Sequence, residues 1–436
     1  MNSKLFIITF CLGFYFYSQA QEEKIKHIKI DASSSPASSE VKLTFIHRIQ
    51  SLRTKTGNSH DQYDASINSP KSVLILDAKK KFYVHSLEGH TTSVYDLNSF
   101  QKLKVISHTF TKKDTTLFGG AKNYFTYTFR TKKENVNLFS GKPVESCLTH
   151  NGKYLWVTYY RRDYDKNAID PSALAIIDTD EDKIVRIMPT GPLPKMIAAS
   201  PDNKYVAITH WGDNTVGLID ITGDDYKSFH YMKNIVIGYR KKLDYKTNEK
   251  INRDENCGFC LRGTVFTPDS SYLFIGKMGG DGIAVIDLKK QNYTGTIQGM
   301  KTNIRHILIK NNYIYLSINK EGYVQQTSYK SLIDFYITTE GKKPYAKWES
   351  VKTGKGCRTI CSTTNGTYIF AAVNNDSKVV VIRTKDMKVI SSIDVDSFPV
   401  GMAIDESGNH LIVTAQGKPH HGGGNSVMIF SINYKN

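Results

Sequence analysis

The sequence lacks the signatures of the commonest enzyme scaffolds. No Gly-x-Ser-x-Gly, His-Glu-x-x-His or Gly-x-x-x-x-Gly-Lys-Ser/Thr stretch occurs in its 436 residues. Strand-to-helix serine hydrolase, zinc-protease and P-loop chemistry are therefore without support. Proline is scarce, at 12 residues, and helical periodicity is missing between the apolar segments, which excludes helical solenoids, coiled coils and collagen-like chains. After residue 20, no apolar run approaches the roughly 20 residues of a membrane-spanning helix. Acidic residues are outnumbered, 41 Asp and Glu against 58 Lys and Arg, a formal charge of +17. That surplus favours anionic partners without choosing among nucleic acid, lipid headgroups, acidic glycans and small anions. What is present, 40% hydrophobic and 23% charged residues with 26 Tyr and 20 Phe, fits a soluble β-rich protein.

The first 20 residues read as an address. MNSK supplies a charged start, LFIITFCLGFYFY an apolar run too short to span a membrane, and Ser18-Gln19-Ala20 a small-residue site. Together they predict a secretory signal peptide cleaved before Gln21. Phe10 beside Cys11 does not fit a lipoprotein processing site. The expected location is periplasmic, secreted or cell-surface, and residues 21–41, with SSSPASSE, are expected to form a flexible leader.

One pattern returns along the rest of the chain: a short alternating strand, a polar turn, then an apolar strand opened by an aromatic residue or His. It begins as PKSVLILDAKKKFYVHS at Pro70, PVESCLTHNGKYLWVTYY at Pro143, PKMIAASPDNKYVAITHW at Pro194 and LRGTVFTPDSSYLFIGKM at Leu261. IRHILIKNNYIYLSIN at Ile304, CRTICSTTNGTYIFAAVN at Cys357 and PVGMAIDESGNHLIVTAQ at Pro399 make seven copies, and the five steps from Pro143 to Pro399 give a period of about 51 residues. Third and fourth strands follow most of them. The expected fold is all-β: a seven-bladed β-propeller with four-stranded blades, one domain over residues 42–436. The chain ends at SVMIFSINYKN without a fourth strand, whereas KLTFIHRIQS at 42–51 is an orphan. This N-terminal strand is therefore predicted to complete the last blade.

The fragments YVAITHW, YLWVTYY and HLIVTAQ, followed by VGLID, LAIID and IAVID, resemble the YVTN-type repeat of bacterial surface-layer and periplasmic seven-bladed propellers, neighbours of the lactonase-like propellers. Gly89-His90 is the one feature shared with WD40 repeats, and no Trp-Asp follows it. The resemblance implies a fold but no single activity. It further implies that connections from second to third strand, and from fourth strand to the next blade, share the functional face. Residues 107–141, 159–170, 222–260 and 319–354 are the long excursions expected there, rich in Lys/Arg and Tyr/Phe. His420-His421, before a glycine run, is read as a hairpin rather than a metal tract.

Repeat alignment places Lys195, Arg262, Arg305, His306 and Arg358 at the starts of inner strands, where side chains rim the central channel. Converging cations make an anion pocket, to which His210 and Trp211 would add a polar edge and a flat ring. Cys11 leaves with the signal, so five cysteines remain, an odd number. Cys357 and Cys361 are four apart on one strand, roughly 13 Å, too far for a disulfide. Cys257, Cys260 and Cys357 are the disulfide candidates. No metal or cofactor is expected, nor is a catalytic residue identifiable. The function expected is that of an exported non-catalytic binding protein or scaffold. Its monomeric propeller would take an anionic small molecule, a glycan or an acidic protein, with nucleic acid behind these in preference. A lactonase-like hydrolase at the channel mouth is the alternative.

Overall fold

Strands such as Thr215–Asp220 and Lys378–Arg383 alternate little in burial along their length. Both faces of a blade's middle strands are covered by the neighbouring blades, so apolar residues are wanted on each face. The outer strand Lys102–Ser107 shows the converse, being exposed at most positions. The computed structural model describes residues 27–121, 124–125, 139–246, 249–417 and 424–435. The expected signal peptide, His420-His421 and much of 107–141 lie outside these. Seven sheets, antiparallel apart from the short edge strand Asp61–Tyr63 beside Val41–Gln50, have first strands beginning at Pro70, Phe139, Pro194, Leu261, Ile304, Cys357 and Pro399, blades 1 to 7. Each first strand packs against the next, and that of blade 7 against that of blade 1, so the ring closes and the chain is a seven-bladed β-propeller. Among the described residues no helix is long and apolar enough to cross a membrane.

The N-terminal strand Val41–Gln50 does complete blade 7. It runs antiparallel to Ser426–Tyr434, from Val41 opposite Tyr434 to Gln50 opposite Ser426. Its junction is locked by Arg48, 1% exposed. Arg48 Nε and Nη2 each donate to Asp396 at 3.0 Å, and Nη1 donates to Asp61 at 3.1 Å. Asp396, wholly buried, also accepts from Ser426 Oγ at 2.8 Å and from the Ile28 amide at 2.9 Å.

Two expectations are corrected. The leader is docked rather than loose from Ile28 onward: Ile28, Ile30 and Ala32 pack on the core between blades 6 and 7, and Ser35 bridges Ser392. Ordering is explained by the apolar alternation Ile28-Ile30-Ala32, which the Ser-rich tail of the segment obscures. The excursions also divide between faces. Residues 222–260 contain the fourth strand His230–Val236, so only the loop beyond that strand returns to the expected face. In 319–354, the helix Tyr329–Thr339 joins third to fourth strand and lies on the opposite side.

Replacing Arg48 with Met removes the guanidinium that pairs with the wholly buried Asp396, leaves Asp61 with Arg53 alone at 3.2 Å, and should cost about 3–5 kcal/mol. Denaturant unfolding of Arg48→Met measures this, and a loss below about 1 kcal/mol would contradict the role given to the junction.

Candidate functional site

Every first strand has a register shift near its start, and in blades 1 to 6 a residue that it throws out of the ladder lines the channel mouth. The shifts fall between Pro70 and Ser72, Pro194 and Met196, Leu261 and Thr264, Ile304 and His306, and Cys357 and Ile360. Lys71, Lys195, Arg262, Arg305 and Arg358 sit within them. A bulge re-aims a side chain; here five bulges aim five cations at one axis. The equivalent positions of blades 2 and 7 carry Val144 and Val400.

These cations line an outer cavity of about 330 Å³, together with Leu87, Val144, Tyr160, Trp211, Asp254 and Met278. Below it lies an inner chamber of about 220 Å³ containing Glu145, Ser146 and His306. Arg262, Arg305 and Arg358 line both, and so form the septum between them. Arg262 and Arg358 are only 5% and 6% exposed.

Two carboxylates meet this cluster. Glu145 accepts from Arg262 Nη2 at 3.0 Å. Asp254 Oδ1 accepts from Lys195 Nζ at 2.6 Å and from the Tyr160 hydroxyl at 3.2 Å. The Lys195 ammonium also stands over the Tyr160 and Trp211 rings, at 4.3 and 4.5 Å from their centroids. Asp254 is delivered by the long loop after blade 3. Its neighbour Arg253 ties that loop down, donating to the Gly212 carbonyl at 2.7 Å while its own carbonyl accepts from Trp211 Nε1 at 3.1 Å. The Cys257–Cys260 disulfide closes the same loop against the cavity wall. Gly258 between them has φ +69°, and a Cβ there would lie 2.7 Å from Asn214, so only glycine fits the turn.

The remaining cations have no carboxylate in contact among the described residues. Arg305 reaches only the Met278 sulfur at 3.5 Å, and Arg358 stands over the Phe398 ring at 5.8 Å. The Nε of Arg262, Arg305 and Arg358 all lack an acceptor. Electrostatic strain is the consequence. Burial, then repulsion from Arg358, Arg262, Arg305 and Lys195, pushes the Lys71 ammonium well below its ordinary range. Burial outweighs Asp254 and lowers Lys195 to about 7. Burial and Arg262 lower Arg358 to about 9, and burial with Arg358 and Arg262 pushes Arg305 well below its ordinary range. A guanidinium does not surrender its proton inside a protein, so the septum keeps its positive charge.

Of the residues expected at the rim, Lys195, Trp211, Arg262, Arg305 and Arg358 meet in the outer cavity, and His306 faces the inner chamber with the three arginines. Burial first, then Arg262, lowers His306 to about 4. Its Nδ1 accepts from the Ile360 amide at 3.4 Å, so the neutral ring carries its proton on Nε2. His210 is a correction: it is fully buried away from the mouth, bonded to Thr190 at 2.8 Å, Thr215 at 2.8 Å and the Gly191 amide at 3.1 Å. Closing its strand puts it between sheets, not over the channel. Cys357 is also corrected, to a free thiol buried in the core, where desolvation raises it to about 12. Lys71 was legible and missed, since Pro70-Lys71 repeats Pro194-Lys195. Among the described residues, no three His, Cys, Asp or Glu side chains gather as a metal site.

Arg305 and Arg262 should respond oppositely to removal. Arg305→Met deletes a charge without a counter-ion and should raise stability by about 1–3 kcal/mol at low salt, whereas Arg262→Met strands Glu145 and should lower it. Parallel denaturation of the two variants decides; equal losses would contradict the uncompensated-charge account.

No protein-family model matches the chain, and no curated protein matches it in sequence. Among solved structures, Kuenenia stuttgartiensis hydrazine synthase is similar, with a TM-score of 0.57 at 12% identity over 86% of this chain and 99% of that one. The β-propeller domain of Myceliophteria thermophila Cps50 (Swd1) has a TM-score of 0.55 at 10% identity, over 84% of this chain and 96% of that one. Likeness at such identity establishes a shared fold and does not extend to the site. What this chain has in common with its structural neighbours is the β-propeller itself.

Proposed function

We propose that this propeller is an exported, non-catalytic binding protein that holds an anionic ligand at the mouth of its central channel. The observation that carries the reading is the septum: three guanidinium groups with buried, unaccepted Nε–H donors and one carboxylate, Glu145, among them. Arg presents a fork matched to carboxylate or phosphate oxygens, and the low-dielectric walls strengthen its field. Export is supported by the signal-like first 20 residues and by the Cys257–Cys260 disulfide, which persists in oxidising compartments. The YVTN-type repeat fragments favour a periplasmic or cell-surface setting.

The lactonase-like alternative needs a carboxylate able to exchange a proton. Burial works to raise Asp254, but the Lys195 charge and the hydrogen bonds from Lys195 and Tyr160 outweigh it and hold Asp254 at about 2. Glu145 is committed to Arg262. Asp254 is thus not poised as a general acid at neutral pH, and the ion pair occupies Glu145, which favours binding over turnover.

Calorimetric titration of the chain from Gln21 with phosphate, sulfate and citrate tests the reading. Binding should weaken with added salt, and the double variant Arg305→Met/Arg358→Met should lose roughly tenfold or more in affinity. Absence of binding, or equal binding by the variant, would overturn it; hydrolysis of a sugar lactone would transfer the assignment to the enzyme.

A further inference from the structure

The cationic mouth contains two stations rather than one. The lower is the arginine septum, open to both chambers. The upper is Lys195, framed by the Tyr160 and Trp211 rings and occupied by the carboxylate of Asp254. Both line the same cavity, and the surfaces beside them are apolar: Leu87, Val144 and Met278. The charge count is equally definite. Lys71, Lys195, Arg262, Arg305 and Arg358 oppose Glu145 and Asp254, five cations against two carboxylates, a surplus of three.

The two carboxylates differ in kind. Glu145 belongs to the wall strand Phe139–Thr149 and cannot leave without unpicking a sheet. Asp254 sits on a loop, its side chain 62% exposed, and touches Lys195 from the solvent side. It occupies the place an incoming acid would take and satisfies the same ammonium. A ligand with one acidic group would fill the septum and leave Asp254 where it is. A ligand with two would place the second on Lys195, where the flanking rings and the desolvated ammonium favour an anion at close range.

Resting on the anion-binding reading above, we propose that the ligand is a small organic diacid with a hydrocarbon middle, one acidic group in the arginine septum and the other displacing Asp254 from Lys195. Asp254 then acts as a resident competitor that sets the charge the ligand must carry. The shared chemistry is that of a terminal oxyanion at each end, which a dicarboxylate or a phosphorylated carboxylic acid supplies.

Matched probes test this by calorimetry on the chain from Gln21: pentanoate and glutarate, equal in carbon number and differing in one carboxylate, with inorganic phosphate and 3-phosphopropionate as the phosphate arms. Glutarate should bind roughly tenfold or more tightly than pentanoate. Asp254→Asn removes the competitor and should widen that ratio, while Lys195→Met should bring it close to one. If 3-phosphopropionate exceeds glutarate with the same dependence on both variants, the second acid is a phosphate. Equal binding of glutarate and pentanoate, or a ratio unmoved in both variants, would overturn the two-station proposal while leaving the anion site standing. Failure of every probe, inorganic phosphate included, would remove both. Each variant's thermal melt separates lost binding from lost folding.

Discussion

Closure of the ring by the strand Val41–Gln50 is the constraint on which the rest depends. An open propeller would expose the long edge of Ser426–Tyr434 and leave the seventh blade free to swing. Pairing that edge with the start of the chain fixes seven first strands around one axis. The Arg48–Asp396 pair then secures the seam from inside. Once the axis is fixed, the bulge at the head of each first strand has one place to send its displaced residue. The cations meet because the ring leaves them nowhere else to go.

Their meeting is unfavourable. Taking a charge out of water costs several kcal/mol even after relaxation, and like charges add to it. Glu145 and Asp254 offset part of that cost, and the Tyr160 and Trp211 rings offset a little more at Lys195. Arg305 and Arg358 receive almost nothing. A fold that only needed stability would place Val or Met at these positions, as it does with Val144 and Val400 in the two other blades. The anion proposed for the septum would offset that cost.

The sequence reports the parts of this arrangement that repeat. Seven copies of the strand pair and an orphan N-terminal strand were enough for the fold and its closure. Alignment of the copies also placed Lys195, Arg262, Arg305 and Arg358 on one rim, and the same alignment held Lys71. What it could not show were the bulges, since a register shift is a property of two paired strands. Glu145 escaped for that reason: it follows Val144 in a doubly irregular stretch of its strand. Asp254 escaped because it lies in a loop with no counterpart in other blades. His210 misled because a residue at the end of a second strand can turn to the mouth, as Trp211 does, or into the sheet interface. The choice is made by Thr190 and Thr215, which offer it hydrogen bonds.

Anomalous diffraction from crystals of the chain soaked in selenate addresses the central claim most directly, because it locates an oxyanion without assuming any ligand. The account predicts a selenium peak within hydrogen-bond reach of Arg262, Arg305 and Arg358. A septum without a peak, with the guanidinium groups turned onto strand carbonyls, would contradict it.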